Sequence, residues 1–483
     1  MLINKIYNVD SNINIENIMY DSRLKLKNSI FFAIKGKLND GHNFINTAIE
    51  NGAICIVHTD DIENKKENIL YIKVSDATKS YIDFCHAFYD YPFNKLKCFG
   101  ITGTNGKTTI SWIIRNLIAK FEKCGYIGTM GYYYGEEIKT SSLNLTTPKP
   151  DELYRIAKEM VDYGCKNLVM ETSSEGLLTH RLDSIDFKAA VFNNLSREHF
   201  NIHGDMESYF KAKCILFDNL KDDAVAIINI DDEYGKRLYD NHLNKKVSYG
   251  IENICDYQAI NIELFNDHTK FDLLHNNNIY HINTNIVAKF NIYNLLAVIA
   301  LLNENGYEIE KIINYLNEIQ LCPGRCQLIN CGQDFNVVVD YAFTPNSFDK
   351  IFNYANSITS KDKKIMAVFG AAGDRDHGRR PGSVAIADKY CSYVVLSYDD
   401  PATEDMLDIC NDLKSMFKNI TPDIELDRYK AIKMVIDKAN KGDTILLLGK
   451  GNDDFFLDKN GRIPWMSDEV AANRLIKEKL NNR

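Results

Sequence analysis

The chain lacks an excess of positive charge. Its 57 Lys and Arg stand against 66 Asp and Glu, a formal net charge of -9. That leaves no basic footprint and argues against a nucleic-acid partner. No apolar run approaches the roughly 20 residues of a membrane-spanning helix, so no membrane insertion is expected. The start, Met1-Leu2-Ile3-Asn4-Lys5-Ile6, is too mixed for a secretory signal. The twelve cysteines form no C-x-x-C pair. They read as reduced, mostly buried thiols of a cytoplasmic protein. There is no internal repeat and no long low-complexity tract. What is present is ordinary for a soluble globular protein, with 45% hydrophobic and 25% charged residues. A chain of 483 residues holds about three domains.

One stretch organises the rest: Gly100-Ile101-Thr102-Gly103-Thr104-Asn105-Gly106-Lys107-Thr108-Thr109. An apolar segment ending in Cys98-Phe99 precedes it and reads as a buried strand. Residues 110–118, Ile-Ser-Trp-Ile-Ile-Arg-Asn-Leu-Ile, follow with helical spacing. A glycine-rich turn between strand and helix aims several backbone N–H groups one way, which suits the phosphates of a nucleotide. Lys107 supplies a point charge for the β/γ-phosphates, and the Thr108 hydroxyl can reach Mg²⁺. The loop is the shorter Gly-Thr-x-Gly-Lys-Thr form of that motif.

Three α/β segments follow from the alternation of apolar runs and helical patterns. Residues 1–95 form a small N-terminal α/β domain, with strands at Ser29-Ile30-Phe31-Phe32-Ala33-Ile34 and Ala53-Ile54-Cys55-Ile56-Val57. A short helix from Phe44 to Glu50 lies between them. Tyr91-Pro92 marks its end. Residues 96–325 form a central P-loop ATPase domain with a parallel sheet. There Asn167-Leu168-Val169-Met170-Glu171 is a strand ending in a carboxylate, and Ala189-Ala190-Val191-Phe192 leads to Leu195-Ser196-Arg197-Glu198-His199. Catalytic groups of open α/β sheets sit at such strand ends, so Glu171 and His199 are expected to project toward the phosphate loop. Lys213 lies on a later helix. Residues 326–483 form a Rossmann-like domain with strands from Phe335, Ile365, Tyr393 and Thr444. Its glycine turn, Gly370-Ala371-Ala372-Gly373-Asp374-Arg375-Asp376, has no phosphate-loop lysine.

These motifs, in this order over nearly the whole chain, resemble the Mur ligases, the ATP-dependent amide-forming enzymes of peptidoglycan assembly. Among them the resemblance is to those that add the third residue of the stem peptide. It implies that Ser22 and Arg23 bind the uridine-linked substrate. Thr146, Thr147, Ser173 and Arg181 would bind its muramoyl dipeptide part. ATP would be held by Gly103, Thr104, Asn105, Gly106, Lys107, Thr108 and Thr109, with Asn291 and Asn294 on the adenine side and Arg325 near the phosphates. One Mg²⁺ would use Thr108 and a second Glu171 and His199. Lys213 would be carbamylated to N6-carboxylysine, a carboxylate-like metal ligand. Lys107, Glu171, His199 and Lys213 would then carry catalysis. The incoming amino acid would meet Arg375, Asp399, Asp400, Gly449 and Asp453. A monomer is expected.

Four motifs depart from the family pattern: Phe343 stands for His, Glu198-His199-Phe200-Asn201 for Asp-His-x-Asp, Asn452-Asp453 for His-Glu, and Ala402 for Arg in Asp399-Asp400-Pro401-Ala402. The resemblance assigns that arginine to the distal carboxylate of meso-diaminopimelate, so its absence points to L-lysine. Arg379, Arg380 and Lys450 stay open as substitutes for it. Two other readings remain: a divergent ligase serving a secondary pathway, and a non-catalytic nucleotide-binding regulator.

Overall fold

Strand Lys97–Thr102 delivers the phosphate loop from the middle of a ten-stranded sheet, between Asn167–Glu171 and Phe187–Phe192. The computed structural model describes residues 1–36, 39–135, 137–141, 145–319 and 321–482. The three central strands run parallel, so the phosphate loop, Glu171 and Asn193 leave the sheet on one edge. The central strands are continuous apolar runs because helices cover both faces. Helix Lys107–Ile118 packs on one face beside helix Lys289–Glu304. The latter is buried from Leu295 to Leu302, as an all-apolar helix must be.

The sheet is parallel only in its core. At one edge Cys124–Gly128 pairs antiparallel with Gly131–Tyr133. At the other, Tyr257–Leu264, Thr269–His275 and Asn278–Thr284 form an antiparallel meander. The alternating burial of Tyr257–Leu264 is the pattern of strands with one wet face, which antiparallel pairing tolerates. Asn276 and Asn277 both take positive φ at the last turn (50° and 61°), as a two-residue hairpin requires.

The N-terminal sheet has four parallel strands, Asn17–Met19, Ser29–Phe32, Ala53–His58 and Leu70–Lys73. The expected helix runs Ile45–Glu50, preceded by a 3-10 turn from Gly41 to Phe44. The C-terminal sheet has six strands, parallel except for Gln327–Leu328 on Asn336–Asp340. Its carboxyl edge carries Asp340, the 370–376 turn, Asp399 and Gly449, so the candidate site residues of this domain share one rim. The expected strands at Ile365–Phe369, Tyr393–Leu396 and Thr444–Leu448 are present at those bounds. Among the described residues no helix is long and apolar enough to cross a membrane.

Candidate active site

The phosphate loop depends on two glycines with positive φ, Gly103 (149°) and Gly106 (88°). A Cβ at Gly106 would lie 2.3 Å from Asn193 Nδ2 and 2.4 Å from Asn294 Oδ1, so only glycine fits. Lys107 opens the following helix, and its Nζ donates to the loop's own carbonyls, Gly103 O and Thr104 O, each at 2.9 Å. Burial depresses its pKa, opposed by the fields of Glu171 and Glu198. Beside it Arg325 reaches Thr108 Oγ1 from Nη2 at 3.4 Å and lies over the Tyr341 ring. The Arg325 Nε is buried without a partner among the described residues. A buried donor left unsatisfied costs stability, and here it stands next to the loop that would cradle phosphate.

Glu171 is fully buried and gripped by four donors. Tyr126 OH (2.5 Å) and Thr129 N (3.1 Å) donate to Oε1. Thr129 Oγ1 (2.9 Å) and Thr108 Oγ1 (3.1 Å) donate to Oε2. Its hydrogen bonds thus tie it to Thr108 and not to His199. His199 takes a left-handed backbone (φ 57°) that turns its ring toward Glu198, with Nε2 3.6 Å from Oε1. Lys213 is 1% exposed. Its Nζ donates to Gly103 O (3.0 Å) and Thr102 Oγ1 (3.3 Å) and lies over the Tyr209 ring. Burial, reinforced by Lys107, drives its pKa well below the usual lysine range.

Sequence reasoning passed over Glu198 as a site residue. The structure makes it the shared neighbour of Lys107, His199 and Lys213, acting on all three. Its adjacency to His199 was the one available signal. Tyr126 and Thr129, which fix Glu171, carry no sequence signal at all.

A cavity of 590 Å³ opens beside the loop, between the central and C-terminal domains, in the size range of small-molecule sites. Asn105, Gly106, Thr109, Asn291, Asn294 and Arg325, six of the residues expected to hold ATP, line it. Asn193, Tyr293, Tyr341 and Phe343 are further lining residues. Asn291 and Asn294 bond each other (2.8 Å), and Asn294 accepts from Asn193 at 3.0 Å. Asn105 reaches Asn346 of the C-terminal domain at 3.0 Å.

At the C-terminal rim Lys450 is 1% exposed and donates to Asp400 Oδ1 (2.8 Å) and Asp453 Oδ2 (3.2 Å). Burial pushes the Asp399 carboxyl up to about 6 against the pull of Lys450, and Asp400 adds to the rise. Gly449 (φ 100°) passes so close that an added Cβ would meet Asp399 Oδ2 at 2.4 Å. Arg375 is near enough to His199 to act on it.

The remaining expected substrate contacts divide into buried and open groups. Thr147 is fully buried; its hydroxyl donates to Glu171 O (3.0 Å) and accepts from Ser173 N (3.1 Å) and Oγ (3.0 Å). Arg181 is buried too, donating to Thr147 O (2.8 Å) and Glu175 Oε1 (2.7 Å). Thr146 meets Thr129 through its hydroxyl. Ser22 is buried, whereas Arg23 is exposed and paired with Asp21 (2.6 Å). Among the described residues one compact cluster of potential metal ligands exists, Asp40, His42 and Asp60. There His42 already spends Nδ1 on Asp40 (2.6 Å) and Nε2 on Thr59 N (3.2 Å).

Three sequence-family profiles match the chain: "Mur ligase family, catalytic domain" over residues 14–89, "Mur ligase middle domain" over 101–302, and "Mur ligase, glutamate ligase domain" over 324–451. Similar curated proteins include UDP-N-acetylmuramoyl-L-alanyl-D-glutamate--2,6-diaminopimelate ligase 1 of Clostridium acetobutylicum, 37% identical over 97% of this chain and 96% of the relative. The UDP-N-acetylmuramyl-tripeptide synthetase of Borreliella afzelii is 33% identical over 96% and 94%. A solved UDP-N-acetylmuramoyl-L-alanyl-D-glutamate--2,6-diaminopimelate ligase superposes with a TM-score of 0.69 at 27% identity, covering 99% of both chains. A MurF ligase from Thermotoga maritima shares the fold at 17% identity, with a TM-score of 0.64 over 96% and 98% of the two chains.

Proposed function

This chain belongs to the Mur ligase family, and from that premise we propose an ATP-dependent amide ligase of peptidoglycan precursor synthesis. It joins a diamino acid to UDP-N-acetylmuramoyl-L-alanyl-D-glutamate. The observation that carries the reading is the gathering of Lys107, Glu171, Glu198, His199, Lys213 and Arg325 around one glycine loop at the mouth of a 590 Å³ cavity. A regulator that only bound nucleotide would have no use for a buried lysine and a nearby histidine beyond the phosphates.

The residues fit the groups the reaction needs. The orphaned Arg325 Nε and the Gly106 cradle suit phosphate oxygens. Thr108 and Glu171 are hard oxygen ligands suited to Mg²⁺, and His199 offers an imidazole. Burial disfavours the charged form of Lys213, and the neutral amine is the form that adds to CO₂. That addition makes an N–C bond, releases one proton and leaves a carboxylate in place of the amine. When bound, Mg²⁺-ATP supplies the phosphoryl group that activates the substrate carboxylate. Lys107 holds positive charge against that group, the loop's glycines let backbone N–H groups approach it, and closure of the cavity walls keeps water out. The cell compartment is the cytoplasm, the working unit a monomer, and the domain joins fall at 95/96 and 325/326.

For the amino acid, the reading is L-lysine. Asp399, Asp400 and Asp453 outnumber Lys450, leaving a surplus of negative charge that suits a terminal ammonium. Two of the candidates to bind a distal carboxylate are engaged: Lys450 is held by two aspartates, and Arg380 by Glu404 (3.0 Å) and Asp412 (3.1 Å). The third, Arg379, lies in the field of Glu198 on the central domain. The names of the most similar relatives point to diaminopimelate, and the subsite argues otherwise. Phosphate release with and without the UDP-linked dipeptide tests the ligase. The ratio of kcat/KM for L-lysine and meso-diaminopimelate tests the subsite, and a preference for the latter refutes it.

A further inference from the structure

After strand Ile365–Phe369 the C-terminal domain sends a segment across to the metal-side loop of the central domain. A Cβ placed at Gly378 would sit 3.8 Å from an Arg197 guanidinium nitrogen, next to Glu198 and His199. Arg379 ends the short turn His377–Arg379. Its Nε donates to Asp376 O at 3.2 Å, and its guanidinium lies over the Phe343 ring, 5.2 Å from the centroid. Its two terminal nitrogens have no partner among the described residues. The main opposite charge acting on it is Glu198, across the domain boundary. Glu198 is also the carboxylate shared by Lys107, His199 and Lys213, so Arg379 joins their circle.

We propose that Arg379 is a catalytic cation carried by the C-terminal domain. Its free guanidinium nitrogens contact the phosphoryl group passing from ATP to the substrate carboxylate, and Phe343 is the shelf that aims them. The proposal rests on the ligase reading above. In that step a carboxylate oxygen bonds to the γ-phosphorus while the bond from that phosphorus to its bridging oxygen breaks. ADP leaves with the electron pair and no proton moves, so a permanent cation is wanted and not an acid or base. Charge spreads over the equatorial oxygens in flight, and a planar fork matches two of them at once. An aromatic shelf holds a guanidinium by its face and consumes none of its donors, which gives Phe343 a purpose where the family pattern has His. Arg380, one residue on, cannot serve, because Glu404 and Asp412 hold it.

The test separates the two half-reactions. Enzyme, ATP and the UDP-linked dipeptide are mixed without amino acid, and the acyl phosphate is trapped with hydroxylamine. Arg379→Gln should slow hydroxamate formation by about 10²-fold with KM for ATP and for the amino acid within about threefold of wild type. Arg379→Lys should fall between, and Phe343→Leu should lose about tenfold in the same partial reaction. Hydroxamate formed at the wild-type rate by Arg379→Gln would overturn the proposal, and if amide formation were then lost, Arg379 would belong to the amino-acid site. If Arg379→Gln does not fold, a wild-type partial reaction in both Arg379→Lys and Phe343→Leu overturns it equally. A wild-type enzyme that forms no hydroxamate would refute the ligase reading itself.

Discussion

Arg428 and Asp468 form an ion pair at 2.6 Å with both side chains 0% exposed. Arg428 also donates to Tyr398 O (2.9 Å) and Leu448 O (2.8 Å), the carbonyls just before Asp399 and Gly449. One guanidinium therefore pins both strand-end loops of the C-terminal rim. Arg428→Met leaves the Asp468 carboxylate buried without its partner and strips two carbonyls. Breaking a buried pair from one side costs about 3–5 kcal/mol. For a domain of this size that corresponds to a fall in Tm of very roughly 6–20 °C. In Arg428→Met/Asp468→Leu no charge remains stranded, so the part of the loss owed to the unpaired carboxylate should return. What persists is the two unpaired carbonyls, at about 1–3 kcal/mol each. The functional effect should not return with the stability. KM for the amino acid should rise in both variants, because the loops lose their tie either way, while KM for ATP stays put. Denaturant melts give the energies and initial rates give the KM values. A single variant within about 1 kcal/mol of wild type, or a double variant no more stable than the single, would refute this account of the pair.

Lys213→Ala should nearly abolish turnover, and added short carboxylic acids should partly restore it by standing in for the carbamate; full activity without them excludes that role. Gly106→Ala should weaken ADP binding at least about tenfold by calorimetry, since it adds about 1–2 kcal/mol of left-handed strain and breaks the Asn193–Asn294 bond; unchanged affinity would show the loop is more pliant than its geometry implies. The Asp399 carboxyl, pushed up to about 6 from 3.8, holds its proton longer folded than unfolded. The native state is thus favoured below about pH 4 and loses on the order of 3 kcal/mol as pH rises to about 7. Asp399→Asn should flatten that slope in pH-dependent melts, and a slope identical to wild type would exclude Asp399 as its source.

Much of the fold was legible because its signals are local. The apolar run into Gly103, the glycine spacing and the helical pattern after Lys107 all lie within about twenty residues, and each is a backbone requirement. The C-terminal strands were equally plain, being continuous apolar runs closed by turns. The antiparallel meander was not foreseen. Alternating, half-wet strands say which face is buried but not which neighbour they pair with or in which direction.

By itself the sequence determined that a glycine loop joins strand to helix, which residues build it, and that Glu171 ends the strand beside it. Only the tertiary structure decided how the charges are shared. Glu171 turned out to belong to Tyr126, Thr129 and Thr108, 42 to 63 residues away, while Glu198, passed over in the sequence, acts on Lys107, His199 and Lys213. Asp400 and Asp453, expected at the incoming amino acid, also hold Lys450. The physical reason is that burial and pairing fix what a charged group can do. Both are set by chain segments that meet only on folding, such as Arg428 with Asp468 across 40 residues and Arg325 with Thr108 across 217.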